Sequence, residues 1–183
     1  MPDYCIKVNT LVKQLAEHCT SEKGLKNIRH RSRCMVTCYP PGARYTKHVD
    51  NGGEVGNGRR ITALLYLNEE WLKGDGGELS VYKRGGKDMV TSVEPKFGRV
   101  VLFWSDERVP HEVLTSMKDR FCVTIWFFDG DEYDKAKASG VVSKPTAVDT
   151  ASDGANPQMN QEPALQHDPD GTTPREPGLG DVR

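Results

Sequence analysis

The chain has 183 residues and a formal net charge of −1, and its hydrophobic fraction of 36% is low for a sequence packed from end to end. This length suits one domain followed by a tail, and the near-neutral charge offers neither a basic footprint for nucleic acid nor a polybasic patch for membranes. No apolar run is long enough to span a bilayer, and Lys7, Asn9 and Lys13 interrupt any signal-peptide core.

Residues 1–33 are predicted to form a helix followed by a basic loop. Apolar residues recur at helical spacing between residues 4 and 19, which predicts an amphipathic helix there. The members of this stripe are Val8, Leu11, Val12, Leu15 and Cys19. The basic stretch at 26–33 has no interleaved aromatic residue, so it is interpreted as a solvated loop.

From residue 35 the hydrophobic period changes to two, which predicts strands. Strands are expected at residues 33–39, 45–49, 60–67, 78–82, 89–93, 99–104, 111–114 and 120–128. Many short strands separated by turn-forming residues indicate a mainly β sandwich, barrel or double-sheet jelly roll. With a short helix near residues 132–138, the predicted domain spans residues 34–139.

The C-terminal segment, residues 140–183, is predicted to be a disordered tail. It is rich in Pro, Asp, Ser, Gln, Thr and Gly and shows no hydrophobic period. Such a segment cannot bury enough apolar surface to offset its ordering entropy.

Cysteine usage indicates a reducing compartment. The five cysteines are an odd number with no CxxC spacing, which disfavours a secreted disulfide framework and a zinc site. We therefore expect a soluble, cytoplasmic protein, with the nucleus as a second compartment.

His48 and Asp50 are the first candidates for chemistry. In a strand, residues i and i+2 point to the same face, so this imidazole and this carboxylate project together. An iron site with two histidines and one carboxylate needs a third ligand from a distant strand and leaves positions for O2 and a cosubstrate. His111 is the candidate for that ligand. An HxD pair alone also arises by chance on surface strands.

Arg120 opens the most hydrophobic predicted strand of the chain. Both faces of this strand are largely apolar, which indicates a central strand buried on both sides. A buried arginine is costly without an anionic partner, and a bound carboxylate could supply one through paired hydrogen bonds. The alternative is a strand-end arginine that reaches solvent.

Two tyrosines could share such a cavity. Tyr66 lies on one strand face with Thr62 and Leu64, and Tyr39 ends an earlier strand. A buried phenol needs a partner for its hydroxyl. A cosubstrate carboxylate shared with Arg120 is one candidate, and a core aromatic with a satisfied hydroxyl is the other interpretation.

The order of these motifs resembles the prolyl hydroxylases of hypoxia-inducible factor. The resemblance runs from about residue 35 to residue 134, and it is specific because ligands, cosubstrate residues and turns occur in one order. The matching segments are Cys38-Tyr39-Pro40, residues 45–51, residues 58–60, Leu65-Tyr66-Leu67-Asn68, Gly76-Gly77-Glu78-Leu79, Glu94-Pro95, Phe103-Trp104-Ser105-Asp106, Pro110-His111-Glu112-Val113, Arg120 and Thr124-Ile125-Trp126.

The resemblance implies a fold and a site. The fold would be a double-stranded β-helix, a jelly-roll variant, with catalytic iron held by His48, Asp50 and His111. Arg120 and Tyr66 would bind the distal carboxylate of 2-oxoglutarate. The remaining cosubstrate residues would be Tyr39, near the iron-bound end, and a pocket lining of Leu64, Leu79, Val113, Thr124 and Trp126.

The resemblance also implies an activity. The chain would be an Fe(II)- and 2-oxoglutarate-dependent dioxygenase that hydroxylates prolyl residues of the hypoxia-inducible factor alpha subunit in oxygen sensing. Its cofactors would be Fe(II), 2-oxoglutarate, O2 and ascorbate. It would act as a monomer on a protein substrate, without nucleic acid or membrane partners.

The chain departs from the family pattern at two places. Only a helix and a basic loop precede the Cys38-Tyr39-Pro40 strand, so an N-terminally shortened form is expected, and the loop at 52–58 is longer than usual. Three alternatives remain open: a prolyl hydroxylase with another protein target, a shortened metal-binding form without full activity, and a cupin-type metalloprotein. A cupin would have no need of Arg120.

Overall fold

Two antiparallel sheets and two helices form the body of the chain, as described by a computed structural model for residues 2–19, 21–52, 56–141 and 166–167. The elements in chain order are α1 (Pro2–His18), a 3₁₀ turn (Lys23–Leu25), β1 (Ile28–Arg31), β2 (Met35–Tyr39), β3 (Ala43–His48), β4 (Arg59–Tyr66), β5 (Leu79–Tyr82), β6 (Met89–Val93), β7 (Val100–Trp104), β8 (His111–Val113), β9 (Arg120–Asp129), α2 (Gly130–Ala138) and β10 (Gln166–His167). None of the helices in these ranges is both long and apolar enough to cross a membrane.

The strands belong to two sheets. The first sheet has the order β1-β9-β4-β7, with β2 also paired to β9, and the second has the order β10-β3-β8-β5-β6. All of these strand pairings are antiparallel. This two-sheet, mainly β arrangement confirms the predicted jelly-roll class.

The two faces of strands β4 and β9 pack against different parts of the protein, as their period-two pattern predicts. One hydrophobic cluster joins the first sheet to α1, and its buried members are Val8, Val12, Leu25, Ile61, Ala63, Ile125 and Phe127. A second cluster fills the space between the sheets, and its buried members are Leu64, Tyr66, Leu79, Val113 and Cys122. The central strands therefore anchor the helix on one face and line the interior on the other.

The basic stretch predicted as a loop at 26–33 is instead partly a strand. Ile28–Arg31 form β1, which pairs with the last residues of β9. Asn27 supports the pairing, since its carbonyl accepts a hydrogen bond from the Gly130 amide and its side chain donates to Asp129. Most β1 side chains are exposed, so no hydrophobic alternation marks the strand in the sequence.

The bounds of β9 and α2 differ from those predicted for the last strand and the last helix by a few residues. β9 continues to Asp129, whose side chain caps α2 by accepting hydrogen bonds from the amides of Asp131 and Glu132. Of the tail, Gln166–His167 pair with β3. Residues 142–165 and 168–183 lie outside the described residues, so the disorder predicted for 140–183 stays a prediction.

The packing of α1 predicts an unequal response to truncating two neighbouring residues. Val12 is 2% exposed and Leu11 is 38% exposed. Val12→Ala should lower the free energy of unfolding by roughly 1–3 kcal/mol, because the sheet beneath it cannot collapse into the vacated space. Leu11→Ala should cost less although it removes more carbon. Chemical denaturation of both variants measures this, and an equal or larger loss for Leu11→Ala would contradict the packing of α1.

Candidate active site

Three potential metal ligands converge where β3 ends and β8 begins. His48 and His111 are direct partners in the β3–β8 register, and Asp50 follows two residues after His48. The Oδ1 atom of Asp50 lies 3.6 Å from Nε2 of His48 and 3.9 Å from Nε2 of His111. One ligand atom from each of the three residues lies within 4.8 Å of the others, so the group could hold a metal ion.

Backbone carbonyls determine which nitrogen of each imidazole faces the site. Nδ1 of His48 lies 2.8 Å from the Thr46 carbonyl, and Nδ1 of His111 lies 3.0 Å from the Val109 carbonyl. A carbonyl can only accept, so each Nδ1 carries the proton and donates. The lone pair of each Nε2 is then available to a metal, which is the usual arrangement for ligating histidines.

Asp50 and His111 have complementary protonation. Burial alone would raise the pKa of Asp50, but His48, His111 and the Thr62 hydroxyl outweigh it and hold the pKa below its usual range. Burial lowers the pKa of His111 despite the nearby Asp50. The carboxylate is therefore ionised and the imidazole of His111 neutral near pH 7, which are the forms that bind a divalent ion.

Thr62 orients the carboxylate from the opposite sheet. Its hydroxyl donates to Oδ2 of Asp50 and lies 2.8 Å from the Ser105 hydroxyl. Thr62 is 1% exposed, so water does not replace this contact. Such an outer contact fixes the ligand oxygen that faces the metal.

Arg120 lies buried in the same interior. It is 1% exposed, its Nε donates to the Gly77 carbonyl at 2.6 Å, and its guanidinium lies 5.0 Å from the ring centres of both Tyr39 and Tyr66. Within the described ranges, no carboxylate forms an ion pair with it. A buried cation without an anion is costly, so this cavity suits a carboxylate ligand.

Tyr66 adds an unsatisfied donor beside Arg120. It is fully buried, and its hydroxyl makes no hydrogen bond of normal geometry with the described residues. Burial raises the pKa of Tyr66 to about 12, and burial also raises the pKa of Tyr39. Both phenols therefore keep their protons near pH 7, and an unpaired buried hydroxyl is a site for an acceptor.

Apolar side chains connect the histidine group to Arg120. Phe103 packs its ring 4.7 Å from that of His111 and also belongs to the inter-sheet cluster that contains Tyr66. The predicted lining residues Leu64, Leu79 and Val113 belong to this cluster, and Thr124 and Trp126 are buried on β9. The interior thus contains a group that could hold a metal ion, a guanidinium and an apolar wall.

Sequence reasoning missed three residues at the site: Arg59, Tyr45 and Thr62. Arg59 stacks 3.9 Å above the Trp126 ring and donates to the Asp50 carbonyl, and Tyr45 packs 4.2 Å from His48. The period-two pattern of β4 did not predict the position of Arg59, because a register shift between Arg59 and Ile61 changes the direction in which its side chain points. Thr62 could have been found, because it shares a face with Tyr66.

Comparison with known proteins identifies relatives of the domain. Residues 34–128 match the model of the 2OG-Fe(II) oxygenase superfamily. Prolyl hydroxylase EGLN3 of Mus musculus is 44% identical over 130 residues, which cover 70% of this chain and 53% of that protein. Egl nine homolog 1 of Homo sapiens is 43% identical over 125 residues, covering 67% of this chain and 29% of that protein. The chain thus spans about half or less of these curated relatives.

A solved structure extends the similarity to the fold. The prolyl hydroxylase from Trichoplax adhaerens, in complex with a hypoxia inducible factor oxygen degradation domain peptide fragment, matches with a TM-score of 0.59 and 35% identity. The match covers 75% of this chain and 59% of that one. These similarities confirm the resemblance drawn from the sequence motifs.

The Thr62 contact predicts an effect on metal binding. Thr62→Val keeps the side-chain volume but removes the donor to Asp50, so metal affinity should fall by about tenfold or more. Thr91→Val, on an exposed position of β6, is the matched control and should change nothing. Titration with Fe(II) in the absence of O2 measures both, and an unaltered affinity for Thr62→Val would show that Thr62 does not orient the ligand.

Proposed function

Because the chain belongs to the 2OG-Fe(II) oxygenase superfamily, we propose that it hydroxylates prolyl residues of a protein substrate, the alpha subunit of hypoxia-inducible factor. The observation that carries this proposal is the buried Arg120, which lacks an anionic partner among the described residues and shares one interior with the two histidines and Asp50. A superfamily enzyme needs both a metal site and a carboxylate site in one cavity.

The residues of the chain fit the metal and cosubstrate that the family uses. His48, Asp50 and His111 would hold Fe(II), since two Nε2 lone pairs and one ionised carboxylate make the donor set of this class. Arg120 and the orphaned Tyr66 hydroxyl would hold the distal carboxylate of 2-oxoglutarate. When bound, iron and 2-oxoglutarate together activate O2, with succinate and CO2 as products of the cosubstrate.

The protein residues orient these groups and exclude water. Arg120 offers its Nη atoms to the carboxylate because Nε is taken by the Gly77 carbonyl. Leu79 and Val113 are almost fully buried and keep the inner end of the cavity apolar. A dry, preorganised cavity strengthens each charged contact within it.

The protein substrate is inferred from the relatives. Those named prolyl hydroxylase EGLN3, from Mus musculus and Homo sapiens, share 44% and 43% identity with this chain over the matched segment, and the Trichoplax adhaerens neighbour holds a hypoxia inducible factor peptide.

The proposed reaction would also need a reductant for its iron. Ascorbate would sustain repeated turnover by keeping the iron reduced. The protein would act as a monomer in the cytoplasm and also in the nucleus.

The proposed activity predicts oxidation of one peptide residue. With Fe(II), 2-oxoglutarate and O2, the protein should add one oxygen atom to a hypoxia-inducible factor alpha peptide, as measured by mass spectrometry. The same peptide with Ala in place of the target proline should stay unmodified, and His111→Ala should abolish the reaction because two remaining ligands hold a labile ion poorly. Succinate release without peptide oxidation would reject this protein target, whereas full turnover by His111→Ala would reject the metal site.

The proposed cosubstrate contact predicts a non-additive pair of substitutions. Arg120→Lys keeps the charge but loses the planar fork, so the contact should weaken by roughly 1.5–3 kcal/mol, or about one to two decades in 2-oxoglutarate affinity. Tyr66→Phe should act in the same direction but less. The double variant should lose less than the sum, since both residues address one carboxylate.

Metal content and 2-oxoglutarate binding of the two single variants and the double variant are the measurements. Fe(II) binding should stay near normal in all three. If Arg120→Lys lowers the stability of the fold but leaves cosubstrate affinity unchanged, Arg120 is a structural residue.

A further inference from the structure

The loop between β4 and β5 contacts Arg120 through one backbone carbonyl. Nε of Arg120 donates to the Gly77 carbonyl at 2.6 Å, and both residues are buried. We propose that Gly77 is a positioning residue, which sets 2-oxoglutarate affinity by fixing the orientation of the Arg120 guanidinium. This inference rests on the proposed role of Arg120 in binding the cosubstrate carboxylate.

The hydrogen bond to Gly77 determines which donors of Arg120 remain for a ligand. A guanidinium is planar and carries its N–H groups in a rigid fork, so fixing Nε fixes the direction of the others. The rings of Tyr39 and Tyr66 flank the group at 5.0 Å each, and Nη1 lies 3.8 Å from the Cys122 sulfur. Nη1 donates one weak hydrogen bond to that sulfur, and none of the three neighbours is an anion, so the remaining Nη donors stay available to a carboxylate.

Position 77 requires glycine for two separate reasons. Its φ is +66°, a backbone conformation that residues with a side chain rarely adopt. In addition, a Cβ atom at this position would lie 2.8 Å from Cδ of Arg120, 3.1 Å from Oγ of Ser116 and 3.3 Å from Cζ2 of Trp71. A side chain at 77 would therefore press directly on the stem of Arg120.

The surroundings prevent the loop from moving to relieve that contact. The Gly77 amide donates to the Thr115 carbonyl at 2.9 Å, and the Trp71 indole N–H donates to the Gly76 carbonyl at 3.1 Å. Trp71 is 5% exposed, and a Cβ at Gly76 would lie 2.1 Å from the Thr115 carbonyl oxygen. Because the loop is clamped on both sides, a methyl group at 77 displaces Arg120 instead.

A binding experiment separates this effect from backbone strain. Calorimetric titration with 2-oxoglutarate is performed on protein loaded with Mn(II) in the absence of O2, so that no turnover occurs. Gly77→Ala should weaken 2-oxoglutarate binding by about tenfold or more, the loss expected for a misdirected charged contact, with Mn(II) affinity unchanged. Gly85→Ala is the matched control, because Gly85 has a φ of +64° but nothing within 4 Å of its Cβ position.

A double variant tests whether Gly77 acts through Arg120. If it does, adding Gly77→Ala to Arg120→Lys should weaken binding little beyond the effect of Arg120→Lys alone. Fully additive losses would overturn the positioning role, as would a Gly77→Ala protein that binds 2-oxoglutarate as tightly as Gly85→Ala does.

A milder variant decides the question if Gly77→Ala fails to fold. Trp71→Phe keeps an aromatic ring but removes the donor to the Gly76 carbonyl, so binding should weaken by about two- to fivefold. Unchanged binding by Trp71→Phe would overturn the inference in that case. Failure of the unsubstituted protein to bind 2-oxoglutarate would instead reject the proposed cosubstrate site, so the two failures are distinct.

Discussion

The register between β4 and β9 is the constraint on which the site depends. It pairs Thr62 with Trp126, Leu64 with Thr124 and Tyr66 with Cys122. On this face the strands line the interior, while on the other face they hold α1. A slip of one residue would turn every interior side chain toward the helix, because the side-chain period of a strand is two. The apolar face beneath α1 thus enforces the alignment that brings Tyr66 beside Arg120 and Thr62 beside Asp50.

Two buried charges of opposite sign give this interior its chemistry. The Asp50 carboxylate lies between two imidazoles, and the Arg120 guanidinium lies among aromatic rings and a backbone carbonyl. Within the described residues, no lysine or arginine forms an ion pair with the Asp50 carboxylate, and no carboxylate forms one with Arg120. Burying charges in this way costs stability. The arrangement is therefore suited to binding a divalent cation beside Asp50 and a dicarboxylate beside Arg120. These are the ligands expected for the family to which the chain belongs.

Much of the fold and of the candidate site could be predicted because both depend on regular patterns. The double-sided apolar pattern of β9 indicated a central strand, which is present. The i, i+2 spacing of His48 and Asp50 indicated that their side chains project together, and their ligand atoms do lie close to each other, although Asp50 follows the end of β3. β1 could not be predicted, because its side chains are mostly exposed and its place is set by unpaired backbone groups at the end of β9. Backbone hydrogen bonds of this kind do not select particular side chains, so the sequence does not reveal them.

The sequence by itself determined the mainly β class of the fold and the candidate ligands, and it indicated a buried Arg120 beside the alternative of an arginine that reaches solvent, because these follow from hydrophobic period and residue chemistry. Only the tertiary structure decided how these residues meet. The pairing of His48 with His111 across β3 and β8, the contact of Thr62 with Asp50 from the other sheet and the hydrogen bond from Arg120 to Gly77 all join residues distant in the chain. Such contacts depend on register and loop conformation, and a local pattern carries no information about either.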